Sequence, residues 1–459
     1  MTAGLLRRLG VGPVVLLCAG ILALALGVRA ATKPSRPGDA GAIQRLWLLR
    51  DDYEPSIFLK RGAWAGAGLR PYLDVFSEYP PLATWSFGLP YLLVAPKSAT
   101  PAAALAEIDQ TKTWEPLNTS YSTIWSVLMA GCWLGTAALT AALGRALGLA
   151  PARALALLAP AALYCALQRF DPLPAVLVSG ATLALVRDRF ALGGALLGAG
   201  AMVKIFPALL VPAAAAYALR RGGVRPMVAI GVAFGAVVAA CELPVFLQGA
   251  SDPTWDAKWR PSGYPKDAMG SGRAALAVPF AYQESRDTNP GSLADRWLRV
   301  WSPVSYDTLL AWLGRFRLLQ AAAAVAFAAP ILRSPAPRNL VAAFAAVVTA
   351  FVLLHNIYSP QFVCWIVPLA AVAGGGRLGA VALATALAID VATYLQFPLL
   401  AKQAAWDAPA QRLRYPAAFG PVIDLRLALT GVLLVLLAGL AFRRSNVAKS
   451  DPVAPPSAT

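Results

Sequence analysis

Apolar runs of about 15 to 22 residues, separated by short arginine-bearing links, recur along the chain. A helix needs roughly 20 such residues to cross a bilayer, and only helices or closed barrels satisfy their backbone there, so the pattern predicts an all-α polytopic membrane protein. The first run, Val11 to Val28, follows Arg7 and Arg8 and reads as an uncleaved signal anchor. A cleaved signal peptide ending near Ala30-Ala31 is the alternative. With Arg7 and Arg8 in the cytoplasm, the positive-inside bias orients the rest. The segment from Arg50 to Pro81 is then outside, and Leu82 to Ala95, too short to span, is expected to lie at the outer membrane surface.

Tyr121 to Leu143 runs inward to Arg145 and Arg153, Ala154 to Gln168 returns, and Leu173 to Val186 descends to Arg187 and Arg189. Phe190 to Leu219 has basic clusters at both ends, so the bias favours a hairpin of two short helices with Lys204 at its outer tip. Further spans are expected at Met227 to Leu247, Leu318 to Leu332, Leu340 to Leu354, Gln361 to Ala373, Leu378 to about Leu395, and Val422 to Phe442. The total is about twelve transmembrane helices. They form one membrane domain over residues 1–445, with outer loops at about 32–120 and 248–316. A polar, proline-rich cytoplasmic tail over residues 446–459 is expected to be disordered.

Composition agrees: 58% of residues are hydrophobic, 14% charged, and the mean hydropathy of +0.59 excludes a soluble globular domain. The net charge of +17 would point to nucleic acid in a soluble protein; here its arginines sit in links that set topology, so no nucleic-acid partner is expected. Cys18, Cys132, Cys165, Cys241 and Cys364 lie apart within apolar runs and read as small hydrophobes. With one histidine, His355, no zinc site is supported, and no cofactor is expected beyond a lipid-linked substrate.

Against this background the outer segment Arg50–Pro81 stands out, with Asp51, Asp52, Glu54, Asp74 and Glu78 among aromatics and glycines. Asp171, Lys204 and the stretch His355-Asn356-Ile357-Tyr358-Ser359-Pro360-Gln361 fall at the same side of the membrane. Ionisable residues at membrane depth are costly and mark sites. Each also has a plainer reading: Asp171 as a helix cap, Lys204 snorkelling to lipid phosphates, His355 as an interfacial helix end. An outer site of carboxylates and cations suits transfer from a polyprenyl-phosphate sugar. A carboxylate takes the acceptor's proton, and a cation holds the phosphate as charge grows on it. The competing class is a polytopic transporter or lipid flippase, whose charges would line a path through the membrane.

Gly68-Leu69-Arg70-Pro71-Tyr72-Leu73-Asp74 with Glu78-Tyr79-Pro80-Pro81-Leu82 resembles the GxxPYxD…EYPPL element of the GT-C superfamily, in its actinobacterial polyprenol-phosphate-mannose-dependent mannosyltransferases of the phosphatidylinositol mannoside-elongating type. Val203-Lys204-Ile205-Phe206-Pro207 is similar to their K-x-x-P element, Tyr358-Ser359-Pro360-Gln361-Phe362 with Trp365 and Pro368 to their SPQY…W..P element, and Phe170-Asp171-Pro172 to their aspartate between two helices. The resemblance implies a GT-C fold with surface helices in its first outer loop, a polyprenyl-phosphate donor, a lipid or glycan acceptor, inversion at the anomeric carbon, and a catalytic acid after the first span. Counting back from Gly68 lands on Glu54, with Phe58 where the family has tyrosine; a short insertion restores Asp52, and Asp51 adjoins it. Asp52 is the expected base and Glu54 its rival. Lys204, His355, Ser359 and Gln361 are then expected at the donor phosphate, and Asp74, Glu78, Tyr79 and Asp171 at the acceptor or sugar. The expected location is the plasma membrane, with the active site outside.

Overall fold

The computed structural model describes residues 9–31, 53–66, 70–72, 77–94, 114–247, 278–279, 286–407 and 412–443. Each of the twelve apolar runs forms helix. The sequence first gives α1 (Val11–Ala31), then two helices in the acid-rich stretch and its neighbour, α2 (Tyr53–Gly66) and α3 (Pro81–Val94). Next come α4 (Trp114–Ala146), a 3-10 segment (Pro151–Leu158) leading into α5 (Pro160–Gln168), and α6 (Pro172–Val186). The hairpin is α7 (Phe190–Ala201), a 3-10 turn (Phe206–Leu210) and α8 (Val211–Gly222), followed by α9 (Val224–Phe246). The remaining helices are α10 (Tyr306–Ala326), α11 (Ala329–Arg333), α12 (Pro337–Leu354), α13 (Val363–Val372), α14 (Gly376–Tyr394) and α15 (Phe419–Ala441). Between the last two, Ala405–Asp407 and Arg412–Arg414 pair as a small antiparallel ribbon.

This is an all-α polytopic membrane protein, but full-length spans are fewer than twelve. Among the described residues seven helices are long and apolar enough to cross, or eight counting the bent pair Pro151–Leu158 and Pro160–Gln168. The others, such as α6 with 15 residues and α7 and α8 with 12 each, fall short. At 1.5 Å per residue they reach only about 18–22 Å of a roughly 30 Å core. The expected straight span from Ala154 to Gln168 is broken by 69°. Pro160 cannot donate to the preceding turn, and the freed amides of Ala161 and Ala162 donate instead to the Asp390 carboxylate at 2.9 and 2.7 Å. Asp390 is therefore a structural cap.

Helix α10 starts at Tyr306, twelve residues before the expected span at Leu318, and shortens the second outer loop. Its first turns carry Asp307, Arg315 and Arg317, yet Leu309, Leu313 and Phe316 fall on one helical face and are buried. The hairpin matches expectation. At its base Arg221 donates to both oxygens of Asp188, at 3.1 and 2.7 Å, so the two basic clusters share one end. Arg153 and Arg338 bond carbonyls of Ala371 and Leu147 at that same end.

Helix α12 is buried along most of its length and packs against α10, α13 and α15, while α1 and α9 turn leucines and valines such as Leu16, Leu24, Val228 and Val232 outward. Such outward apolar faces are what lipid covers. The termini, including Arg7, Arg8 and the tail over 446–459, lie outside the described residues.

Candidate active site

The end of the bundle opposite the arginine links holds a cavity of about 320 Å³. Its first wall comes from α2 and α3. Phe58 of α2 stacks on Phe87 of α3 with ring centres 4.6 Å apart, and Trp125 and Phe170 close the cluster. That packing accounts for a phenylalanine at position 58: the ring is wholly buried among other rings. The stretch before α3 is pinned by Tyr72, which has a left-handed backbone (φ 71°) that a bulky residue adopts only when held there. Its buried hydroxyl donates to the Tyr79 carbonyl and lies 3.2 Å from the Thr84 hydroxyl. Pro80 and Pro81 lack amide hydrogens, so the first donors of α3 are Leu82 and Ala83. Both bond the Met202 carbonyl, at 3.0 and 3.3 Å. The Glu78–Pro81 corner is thereby fastened two residues from Lys204.

Both described acids of this wall are engaged. Glu78 is paired with Arg61, whose guanidinium also lies over the Tyr79 ring, and Glu54 is paired with Arg169. Glu54, Glu78 and Tyr79 all line the cavity.

Lys204 forms the floor. It follows the end of α7, at the break before Pro207, and its ammonium donates to Asp171 at 2.6 Å. Asp171, between α5 and α6, is wholly buried and lies behind Lys204, outside the cavity lining.

The opposite wall is held by a residue the sequence reading passed over. Arg426 of α15 is fully buried, and its guanidinium sits 3.8 Å from the centre of the Tyr358 ring. It donates to the carbonyls of Gly291 and Tyr358 at 2.9 and 3.1 Å. A Cβ at position 291 would meet Arg426 Nη2 at 2.7 Å and the Tyr358 carbonyl oxygen at 3.0 Å, so any larger residue there requires this guanidinium to shift. Asn289 accepts from the Tyr358 amide, and Asn356 donates to the Arg286 carbonyl at 2.7 Å. These bonds zip residues 286–291 to 355–358 and bring Arg286 to the cavity beside Ser359 and Gln361.

His355 ends α12, with Nδ1 3.0 Å from both the amide nitrogen and the carbonyl oxygen of Ile357. Burial pushes its imidazole down to about 4, and the charges of Arg286, Lys204 and Arg317 push the same way against the Ile357 carbonyl. The ring is therefore neutral at physiological pH. His355→Gln is expected to keep the shape of the rate–pH curve between pH 5.5 and 8; a limb near pH 6.5 that vanishes in the variant would contradict this. Because the folded value lies below the ordinary 6.5, stability from the neutral ring is full above pH 6.5 and lost as pH falls toward 4.

The cavity thus collects Glu54, Glu78, Tyr79, Lys204, His355, Ser359 and Gln361 from four separate stretches of sequence. Asp51, Asp52 and Asp74 lie outside the described residues. Arg286, Arg317 and Gln320 also line it and were not anticipated. They fall within or beside the long polar loop, where one arginine looks like another. Leu313, Phe351, Leu354 and Ile205 give the cavity an apolar side. Among the described residues no three His, Cys, Asp or Glu side chains gather as metal ligands.

Residues 79–355, more than half of the chain, match the family model described as Glycosyltransferase family 87. The matched span runs from Tyr79 to His355, from one cavity wall to the other. No curated protein matches the chain.

Proposed function

This chain belongs to glycosyltransferase family 87, and on that premise we propose that it moves a sugar, mannose by the resemblance, from a polyprenyl phosphate to a lipid or glycan acceptor outside the plasma membrane. It is a membrane glycosyltransferase, which sets aside the transporter reading. The observation that carries the donor assignment is the cavity itself. One side is cationic and polar, with Lys204, Arg286, Arg317 and neutral His355, and the adjoining side is apolar. A phosphate joined to a prenyl chain has that same division. The extracytoplasmic placement rests on the arginine-bearing links at the other end of the bundle.

In the proposed reaction the acceptor hydroxyl oxygen attacks the anomeric carbon from the face opposite the phosphate. The carbon–oxygen bond to phosphate breaks, its electron pair stays on the phosphate, and the configuration inverts. The acceptor's proton goes to a carboxylate, and the phosphate gains one negative charge, which the cationic side stabilises as it forms. Glu54 must give up its ion pair with Arg169 to accept a proton, which favours Asp52 as the base. Asp51 is its neighbour, and Glu54 is then a structural partner of Arg169.

Glu78 and Tyr79, with Asp74, are assigned to the acceptor side. Glu78→Gln and Asp74→Asn are expected to raise the acceptor's Michaelis constant several-fold and to reduce turnover less. Collapse of turnover at an unchanged Michaelis constant would move one of them into the chemistry. The reading as a whole is tested with purified protein in detergent, where transport has no meaning. Labelled decaprenyl-phosphate mannose should be consumed and decaprenyl-phosphate arabinose should not; consumption of neither refutes the donor class.

A further inference from the structure

Lys204 sits in a box. Its ammonium is 4.3 Å from the centre of the Phe170 ring, 4.7 Å from Trp365 and 5.6 Å from Phe362. The closed side of the box is Asp171, whose Oδ1 accepts from the ammonium at 2.6 Å and whose carboxylate also has the Trp365 side chain beside it. Lys204 lines the cavity and Asp171 does not. Ring faces attract a cation but cannot fix its direction, whereas a single charge-assisted hydrogen bond does. We propose that Asp171 is a positioning residue: it draws the Lys204 ammonium into the aromatic box and thereby presents the rest of that cation to the anion bound in the cavity. It does not touch the sugar or the acceptor.

The other groups near Lys204 strengthen the case. Arg169, two residues before Asp171, opposes the ammonium by like charge, and Cys364 and His355 face it without a permanent charge. Arg169 is itself paired with Glu54, so the charges run in alternating order: Glu54, Arg169, Asp171, Lys204. Removing the Asp171 charge leaves the like charge of Arg169 acting on Lys204. Burial and repulsion then both favour the neutral amine.

The inference concerns the site proposed above, but its first test needs no donor. Lys204 in Asp171→Asn is expected to react with a small amine-selective acylating reagent at least tenfold faster at pH 8 than in the unaltered protein, read by mass spectrometry of the Lys204 peptide. Equal labelling rates overturn the proposal. The second test is binding of decaprenyl phosphate, which carries no sugar. In Asp171→Asn its affinity is expected to fall tenfold or more between pH 7 and 9, with less than a threefold change in the unaltered protein. A loss confined to the sugar-bearing donor, with decaprenyl phosphate held normally at every pH, assigns Asp171 to the sugar and overturns it too. Accelerated labelling in a protein that never binds decaprenyl phosphate leaves the positioning role standing and sinks the donor reading. If Asp171→Asn does not fold, adding Lys204→Met is expected to restore it by removing the unpaired cation. A double variant no more stable than the single one overturns the inference.

Discussion

Asp52→Asn is expected to lower turnover by about two to four orders of magnitude, the usual contribution of a general base, with the yield of folded protein unchanged. Asp52 directly precedes α2, whose first turn carries Glu54 into the cavity wall. The two acids are separated by what already holds them. Glu54 is paired with Arg169, a guanidinium that is itself largely buried. Glu54→Gln therefore strands a buried charge and is expected to appear as lost stability, with the surviving folded fraction retaining substantial turnover. Steady-state rates normalised to folded enzyme, alongside thermal denaturation, separate these effects. A stable, inactive Glu54→Gln beside an active Asp52→Asn would exchange the two roles, and two active variants would refute a carboxylate base in this stretch.

Lys204→Ala is expected to do double damage. It takes away the ammonium that pairs with the wholly buried Asp171, a kind of change that costs about 3–5 kcal/mol. It also removes a cation proposed to hold the donor phosphate, which for one stabilising group corresponds to about a 10²–10³-fold loss in turnover. Lys204→Arg restores charge, so stability is expected to recover largely. The planar guanidinium does not fit among three rings spaced for a compact ammonium, so turnover recovers only in part. Product inhibition by polyprenyl phosphate checks the assignment: inhibition of the alanine variant as strong as in the unaltered protein would show that the lysine does not hold the phosphate.

Much of the membrane layout was legible from arginines and apolar run length. The hairpin around Lys204 followed from charge alone, because a single long helix would have put basic clusters on both sides. Run length was a poorer guide to depth. Helices α6, α7 and α8 are buried by their neighbours and do not need to span lipid, so 12 to 15 residues suffice. Pro160 announced a break, but the Asp390 cap that makes it tolerable lies more than two hundred residues away. The site was legible where residues are unusual for their surroundings, as with Lys204 and His355. Arg426 carried the same signal, a charge inside an apolar run. Arg286 and Arg317 carried none, since their place at the cavity is set by the zip between residues 286–291 and 355–358 and by the early start of α10.

The bonds from Leu82 and Ala83 to the Met202 carbonyl have a consequence for exchanging parts between relatives. They make the corner before α3 and the turn after α7 a single mechanical unit, although the two are more than a hundred residues apart in sequence. A chimaera that imports residues 53–94 from another family member carries a new corner onto an old turn, and any difference in the length of either shifts Glu78 relative to Lys204. Grafts that take residues 53–94 and 190–222 together preserve the spacing, and the smallest transplantable piece of this enzyme is therefore discontinuous.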